Sequence, residues 1–254
     1  MIRIWAVALC TMREAVRDKL LYNLVAFALL LIGSTILLSW LTLGDFHRLV
    51  LDVGLACINL FGVAIAIFVG VGLVSREIDR KTIYVVLSKR ISRRQFLLGK
   101  YLGLACTVAG NVAMMGLGLI LVLWVMDIPV QGALTGALVA ICVELWILTA
   151  VALLCSTFTT TTLSAICTLA VYVIGHSLGP LTSLGSKLDT IGRTILTAMT
   201  YVVPDLERFN LKGLVIEPHA VGSLDFLMMV GYGITYIGFL LALATLVFQR
   251  RDFQ

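Results

Sequence analysis

Gly175-His176-Ser177-Leu178-Gly179 has the G-x-S-x-G spacing of a nucleophile elbow, in which a serine is presented on a sharp strand-to-helix turn. The run Leu169 to Ile174 before it has the apolar character of the strand such an elbow needs. Asp205 and His219 follow in the chain order of an acid and a base. The chemistry would be acyl transfer. It requires a soluble α/β sheet, and the surrounding sequence has no alternation of strands and helices to build one. The same residues therefore read as a small-residue end of a helix, where close packing is possible.

Glu144 is the second residue of chemical interest. It is the single charged residue between Ile128 and Ser186. An ionised carboxylate in the middle of an apolar helix costs several kcal/mol, so Glu144 must face protein or water, or carry a proton. It is either a pathway residue or a neutral acid hydrogen-bonded to a polar neighbour, with Asn59 and Asn111 as candidates. A proton relay usually needs a chain of such groups, and no second intramembrane acid, Lys or Arg is present. His47, His176 and His219 are widely separated and form no ligand pair. No GxxxxGK[ST] occurs, so the chain lacks that phosphate cradle. The six cysteines (10, 57, 106, 142, 155, 167) have no CxxC spacing and read as small apolar residues.

The elements that carry these residues follow from composition. Of the 254 residues, 60% are hydrophobic and 13% charged. A soluble domain carries about 25% charged residues. Residues 20–44, 53–75, 101–126 and 226–249 hold no charge. Each is long enough to cross ~30 Å of hydrocarbon as a helix. The polar run Ser156 to Thr162 divides the next apolar region into about 132–155 and 163–180. The reading is an all-α membrane domain of six spans. The first apolar stretch exceeds the ~7–15 residues of a signal-peptide core, so it is expected to be a retained span.

Lys and Arg orient the chain. With the N-terminus inside, segments 1–19, 76–100, 156–162 and 250–254 hold 4, 8, 0 and 2 basic residues. Five basic residues remain outside: Arg48, Lys187, Arg193, Arg208 and Lys212. The positive-inside rule places both termini in the cytoplasm. It also accounts for the net charge of +5 without any nucleic-acid partner.

Between the spans, three segments have their own character. Ile2, Trp5, Leu9, Met12, Val16 and Leu20 fall within an arc of ~100°, with Arg3, Arg13, Glu14, Arg17 and Asp18 off it, which predicts an interfacial amphipathic helix over 1–19. The loop 76–100 has eight basic residues around an apolar core, Ile83 to Leu87. It predicts two short cytoplasmic helices broken near Lys89–Ser92, with Ser92 capping the second. Segment 181–225 predicts a short surface helix at Ile195–Met199, then an extended piece on the outer leaflet.

The loop also carries a resemblance. Glu77 and Asp79, Thr82, the apolar run to Leu87, Leu87-Ser88-Lys89, Ile91-Ser92-Arg93 and Gly99-Lys100-Tyr101-Leu102-Gly103 resemble the first cytoplasmic loop of ABC-2 permeases, the membrane subunits of ATP-binding-cassette exporters. Arg90 stands where proline is usual. Arg13 to Lys19 is similar to that family's interfacial helix, and Tyr201 to Phe209 to its outer segment.

The resemblance implies a half-transporter in the bacterial cytoplasmic (inner) membrane. It would pair with a second permease chain, identical or not, above two ATPase subunits that hold ATP and Mg. This chain itself would hold no cofactor. The dimer seam would be lined mainly by the first, second and fifth spans. Residues implied to couple to the ATPase are Arg76, Glu77, Asp79, Arg80, Lys81 and Thr82, then Ser88, Arg93 and Arg94, with Glu14 and Arg17 from the N-terminal helix. The alternatives are an ATP-independent carrier or channel using Glu144, and a permease fold that transmits ATPase work without transport.

Overall fold

The computed structural model describes residues 2–41, 46–79, 92–129, 132–184, 203–211 and 223–250. Seven α-helices account for most of these: α1 (Ile2–Val16), α2 (Lys19–Leu41), α3 (Phe46–Asp79), α4 (Arg93–Val125), α5 (Gly132–Phe158), α6 (Thr161–Leu184) and α7 (Ser223–Arg250). Between α6 and α7 a short 3-10 turn, Glu207–Phe209, sits within segment 203–211, here called the strap. Five helices are long and apolar enough to cross a membrane on their own. A sixth span is made if α1 and α2, bent by 62° at their junction, count as one. The all-α reading holds, with five to six candidate spans: α3 to α7 match five of the apolar stretches, and α2 matches the sixth but reaches span length only together with α1.

Two helices run further than the charge-free stretches. At 34 and 33 residues, α3 and α4 are each about 50 Å long by the α-helical rise, well beyond ~30 Å of hydrocarbon. Arg76–Asp79 thus continues the second span. The second of the two helices expected in 76–100 does begin after Ser92, but residues 93–100 are the first two turns of α4 rather than a separate loop helix; the first expected helix falls mostly outside the described residues. The start of α4 is where the sequence puts it. Ser92 Oγ accepts the Gln95 N–H, and the Gln95 side chain accepts the Ser92 N–H, each at 3.3 Å, a reciprocal capping box. The apolar core Ile83–Leu87 lies outside the described residues.

Helix α5 is the hub. Seventeen of its 27 residues are buried, so it has almost no free face, and α3, α4, α6 and α7 pack around it. Small residues set the approach. Gly62 of α3 lies against Leu145 and Gly70 against Ala152, so α3 and α5 run parallel. Trp146 Nε1–H donates to Ala105 O at 3.0 Å and Tyr101 O–H to Trp146 O at 3.4 Å, fastening α4 to α5. By contrast Leu30, Leu117, Trp124 and Leu227 are exposed on outward faces. In a lipid solvent apolar outward faces carry no penalty, which is why the core can be small-residue-rich.

Helix α1 packs on α4 with its small residues rather than with its apolar arc. Ala8, Thr11 and Ala15 are buried against α4, whereas Trp5 is 62% and Val16 43% exposed. Opposite them α4 presents Gly99 and Gly103. A Cβ on Gly99 would stand 2.9 Å from Ile4 O, and one on Gly103 2.7 Å from Thr11 Cβ. Close backbone approach outweighs bulk here, and Trp5 and Val16 of the arc are left exposed, as are Arg13, Glu14 and Arg17 of the polar face. Leu20 belongs to α2, beyond the break.

Candidate functional site

Two regions carry the residues of interest. The first is the end of the bundle formed by α1, the last turns of α3 and the first turns of α4. Glu14 and Arg17 are exposed on α1, and Arg94 is exposed on α4. A hollow of about 630 Å³ beside α1 is lined by Ala6, Leu9, Cys10, Arg13, Glu14 and Arg17. Arg76, Glu77 and Asp79 lie in the last turns of α3, and Arg93 opens α4. Arg80, Lys81, Thr82 and Ser88 lie outside the described residues. The same end is tied to α7 through Phe96, which stacks on Phe248 at 6.4 Å, and Lys100, buried with its ammonium 5.9 Å from the Phe96 ring centre.

The second region surrounds Glu144, about 18 Å along α5 by the helical rise and so near mid-span. Its side chain is 1% exposed. Asn59 Nδ2–H on α3 donates to Glu144 Oε2 at 2.9 Å, and Tyr172 O–H on α6 donates to Asn59 Oδ1 at 2.9 Å. His176 Nε2, one turn further along α6, stands 3.5 Å from Glu144 Oε1, and its ring tilts against Tyr172 at 4.6 Å. Three helices are thus joined through four side chains. Of the two candidate partners Asn59 is the one used. Asn111 Nδ2 is buried on α4 without a hydrogen-bond partner. His176 and Tyr172 were not singled out by sequence as partners of Glu144. Their i,i+4 spacing on one helix face was the available signal.

The strap closes one end of this region. Leu206 and Phe209 are buried in the bundle, which corrects the expectation that the piece after Ile195–Met199 lies on the surface. The physical reason is two glycines. A Cβ on Gly175 would stand 2.8 Å from both Leu206 Cγ and Pro204 O, and one on Gly233 3.3 Å from the Phe209 ring. Leu206 N–H donates to Gly175 O at 3.3 Å, and Asp205 N–H to Tyr232 Oη at 3.1 Å. Arg208 donates to Asp205 Oδ2 at 2.8 Å and lies 5.1 Å over the Tyr232 ring. That hydrogen-bonded carboxylate pushes the Arg208 pKa above its already high ordinary value. The predicted helix at Ile195–Met199 lies outside the described residues.

This geometry removes the nucleophile elbow. Ser177 sits in α6 and its O–H donates to Val173 O of its own helix at 2.8 Å. Asp205 is engaged by Arg208, and His219 lies outside the described residues. Gly175 serves helix-to-strap contact, the small-residue role expected of it.

The chain belongs to the ABC-2 family of transporter proteins: that family's model matches residues 5–253, nearly the whole length. The chain is therefore a multi-pass membrane protein of the permease class, a membrane subunit of an ABC transporter. No curated protein sequence matches it.

Proposed function

We propose that this chain is the permease subunit of an ABC exporter, driven by a separate ATPase that docks on the end of the bundle formed by α1, the α3 terminus and the α4 start. The observation that carries this reading is the union of α1 with α4. An exposed polar face of α1, with Glu14 and Arg17, is locked at Gly99 and Gly103 to the helix that begins at Ser92. A push on the 76–100 segment is then delivered to α1 and α4 together and, through Trp146, to the hub α5. Arg76, Glu77, Asp79, Arg80, Lys81, Thr82, Ser88, Arg93 and Arg94 form the rest of the coupling surface. ATP and Mg are held by the partner, and the working unit is two permease chains with two ATPases in the bacterial cytoplasmic membrane. That end of the bundle is cytoplasmic by the positive-inside rule, and export is the direction.

Glu144 supports this reading more than that of an autonomous carrier. Its carboxylate is enclosed by Asn59 and His176 in a tie between helices, as a structural polar group in a bundle is. The test is ATP hydrolysis by the affinity-purified chain with whatever accompanies it. Vanadate-sensitive hydrolysis that falls in the double variant E77K/D79K is expected. Absence of hydrolysis in every mild detergent overturns the proposal.

A further inference from the structure

Helix α1 turns three different sides to its surroundings. Ala8, Thr11 and Ala15 are buried against α4. That contact falls at Gly99 and Gly103, where the charge-free stretch 101–126 begins. Helix α1 therefore lies level with the edge of the hydrocarbon. With α2 crossing the bilayer, the 62° bend between the two lays α1 closer to the membrane plane than to its normal. Trp5, Leu9 and Val16 form a second side, centred roughly 110° round the helix from the buried one. Trp5 is 62% and Val16 43% exposed. An uncovered apolar side at this level meets lipid, and Trp is a residue of the headgroup region.

Arg13 stands where that side gives way to the polar one. It lies about 40° beyond Leu9, one turn on, and about 140° from Ala8, so it is turned away from α4. Arg17 follows about 40° further. Both are exposed. A guanidinium at the border of an apolar and a polar side sits at the depth of phospholipid phosphates, and its planar fork matches a phosphate. The described lining of the hollow beside α1 holds both guanidiniums against one carboxylate, Glu14, and is net cationic. Ala6 and Leu9 give the same hollow an apolar part. This combination suits a ligand with an anionic head and an acyl tail better than a free anion.

We propose that Arg13, with Arg17 one turn on, binds the headgroup phosphate of an anionic phospholipid, whose acyl chains lie along Trp5 and Leu9. The lipid takes the border of α1 and leaves Glu14 on the polar side for a soluble partner. Only the placement of α1 at the cytoplasmic leaflet is taken from the reading above. No ATPase has a part in the binding.

Native mass spectrometry of the purified full chain tests this, counting bound lipid as phosphatidylglycerol or phosphatidylcholine of matched acyl chains is titrated in. A basic residue near an anionic lipid contributes about fivefold in affinity. Two guanidiniums against one carboxylate therefore predict that the first phosphatidylglycerol binds about fivefold tighter than phosphatidylcholine. R13Q is expected to abolish the preference and R13K to keep most of it. R208Q, which removes an exposed cation at the strap, is expected to bind as the parent does. R13Q should also melt with the parent in phosphatidylcholine, since Arg13 is exposed. Equal affinity for the two lipids, a preference that survives in R13Q, or an equal loss in R208Q overturns the proposal. So does displacement of the lipid by excess inorganic phosphate, which marks a free-phosphate site. Because the chain is measured alone, failure here leaves the ATPase reading standing, and failure of that reading leaves this result standing.

Discussion

Asn59 Nδ2–H donates a 2.9 Å hydrogen bond to Glu144 Oε2 across 85 positions of sequence, and this bond joins α3 to the hub helix. Tyr172 completes Asn59's other side from α6. The carboxyl is therefore part of a tie among three helices, and its replacement should be read in those terms. Glu144→Gln keeps an oxygen for Asn59 and removes only the ionisable group. It is expected to shift stability by less than ~1 kcal/mol, in line with interhelical hydrogen bonds in membranes, and to leave ATP hydrolysis by the complex in place. Asn59→Leu removes the donor to Glu144 Oε2 and the acceptor of the Tyr172 O–H, and should cost ~1–3 kcal/mol. Thermal unfolding in detergent, followed with ATP hydrolysis, separates the two. Loss of all activity in Glu144→Gln is the outcome an autonomous carrier requires.

Gly175→Leu places a side chain where Leu206 and Pro204 O already are, each 2.8 Å from the position its Cβ takes. Overpacking of this kind costs ~1–3 kcal/mol and should lift the strap. Ser177→Ala, two residues on, removes only a bond to its own helix and is expected to stay within ~0.5 kcal/mol. Protease susceptibility of the strap, compared between the two variants, checks the prediction. An effect of Ser177→Ala on any ester hydrolysis would revive the elbow.

The spans, the Ser92 cap and the Glu144–Asn59 partnership were legible in the sequence, each for a local reason. Charge-free runs are set by the bilayer, a cap needs only Ser92 and Gln95, and few polar groups lie at Glu144's depth. What was not legible depends on how helices are rotated against one another. Tyr172 and His176 meet Glu144 because of the phase of α6, which hydropathy does not encode. The burial of Leu206 and Phe209 rests on Gly175 and Gly233, glycines on two helices far apart in the chain. The packing face of α1 was not legible for a related reason. Periodicity located its apolar residues, but Gly99 and Gly103 selected the small ones, Ala8, Thr11 and Ala15, for contact.

Gly103→Leu tests the union of α1 with α4. Its Cβ would stand 2.7 Å from Thr11 Cβ, closer than side chains pack, so α1 must move off α4. A loss of ~1–3 kcal/mol is expected. The decisive readout is coupling: ATP hydrolysis by the complex should lose its dependence on the permease while the spans remain folded. Gly110, with open space around its missing side chain, serves as the control, and Gly110→Ala is expected to be silent.

The central claim is that a separate ATPase docks on the α1 end of this bundle. Co-purification of the tagged chain from its native host in mild detergent, with mass spectrometry of what accompanies it, tests this most directly. A soluble ATPase recovered in equal proportion to the permease, and lost when Glu77 and Asp79 are reversed to lysine, is the predicted result. Recovery of the chain alone across several detergents, or an ATPase that binds the reversed variant equally well, contradicts it.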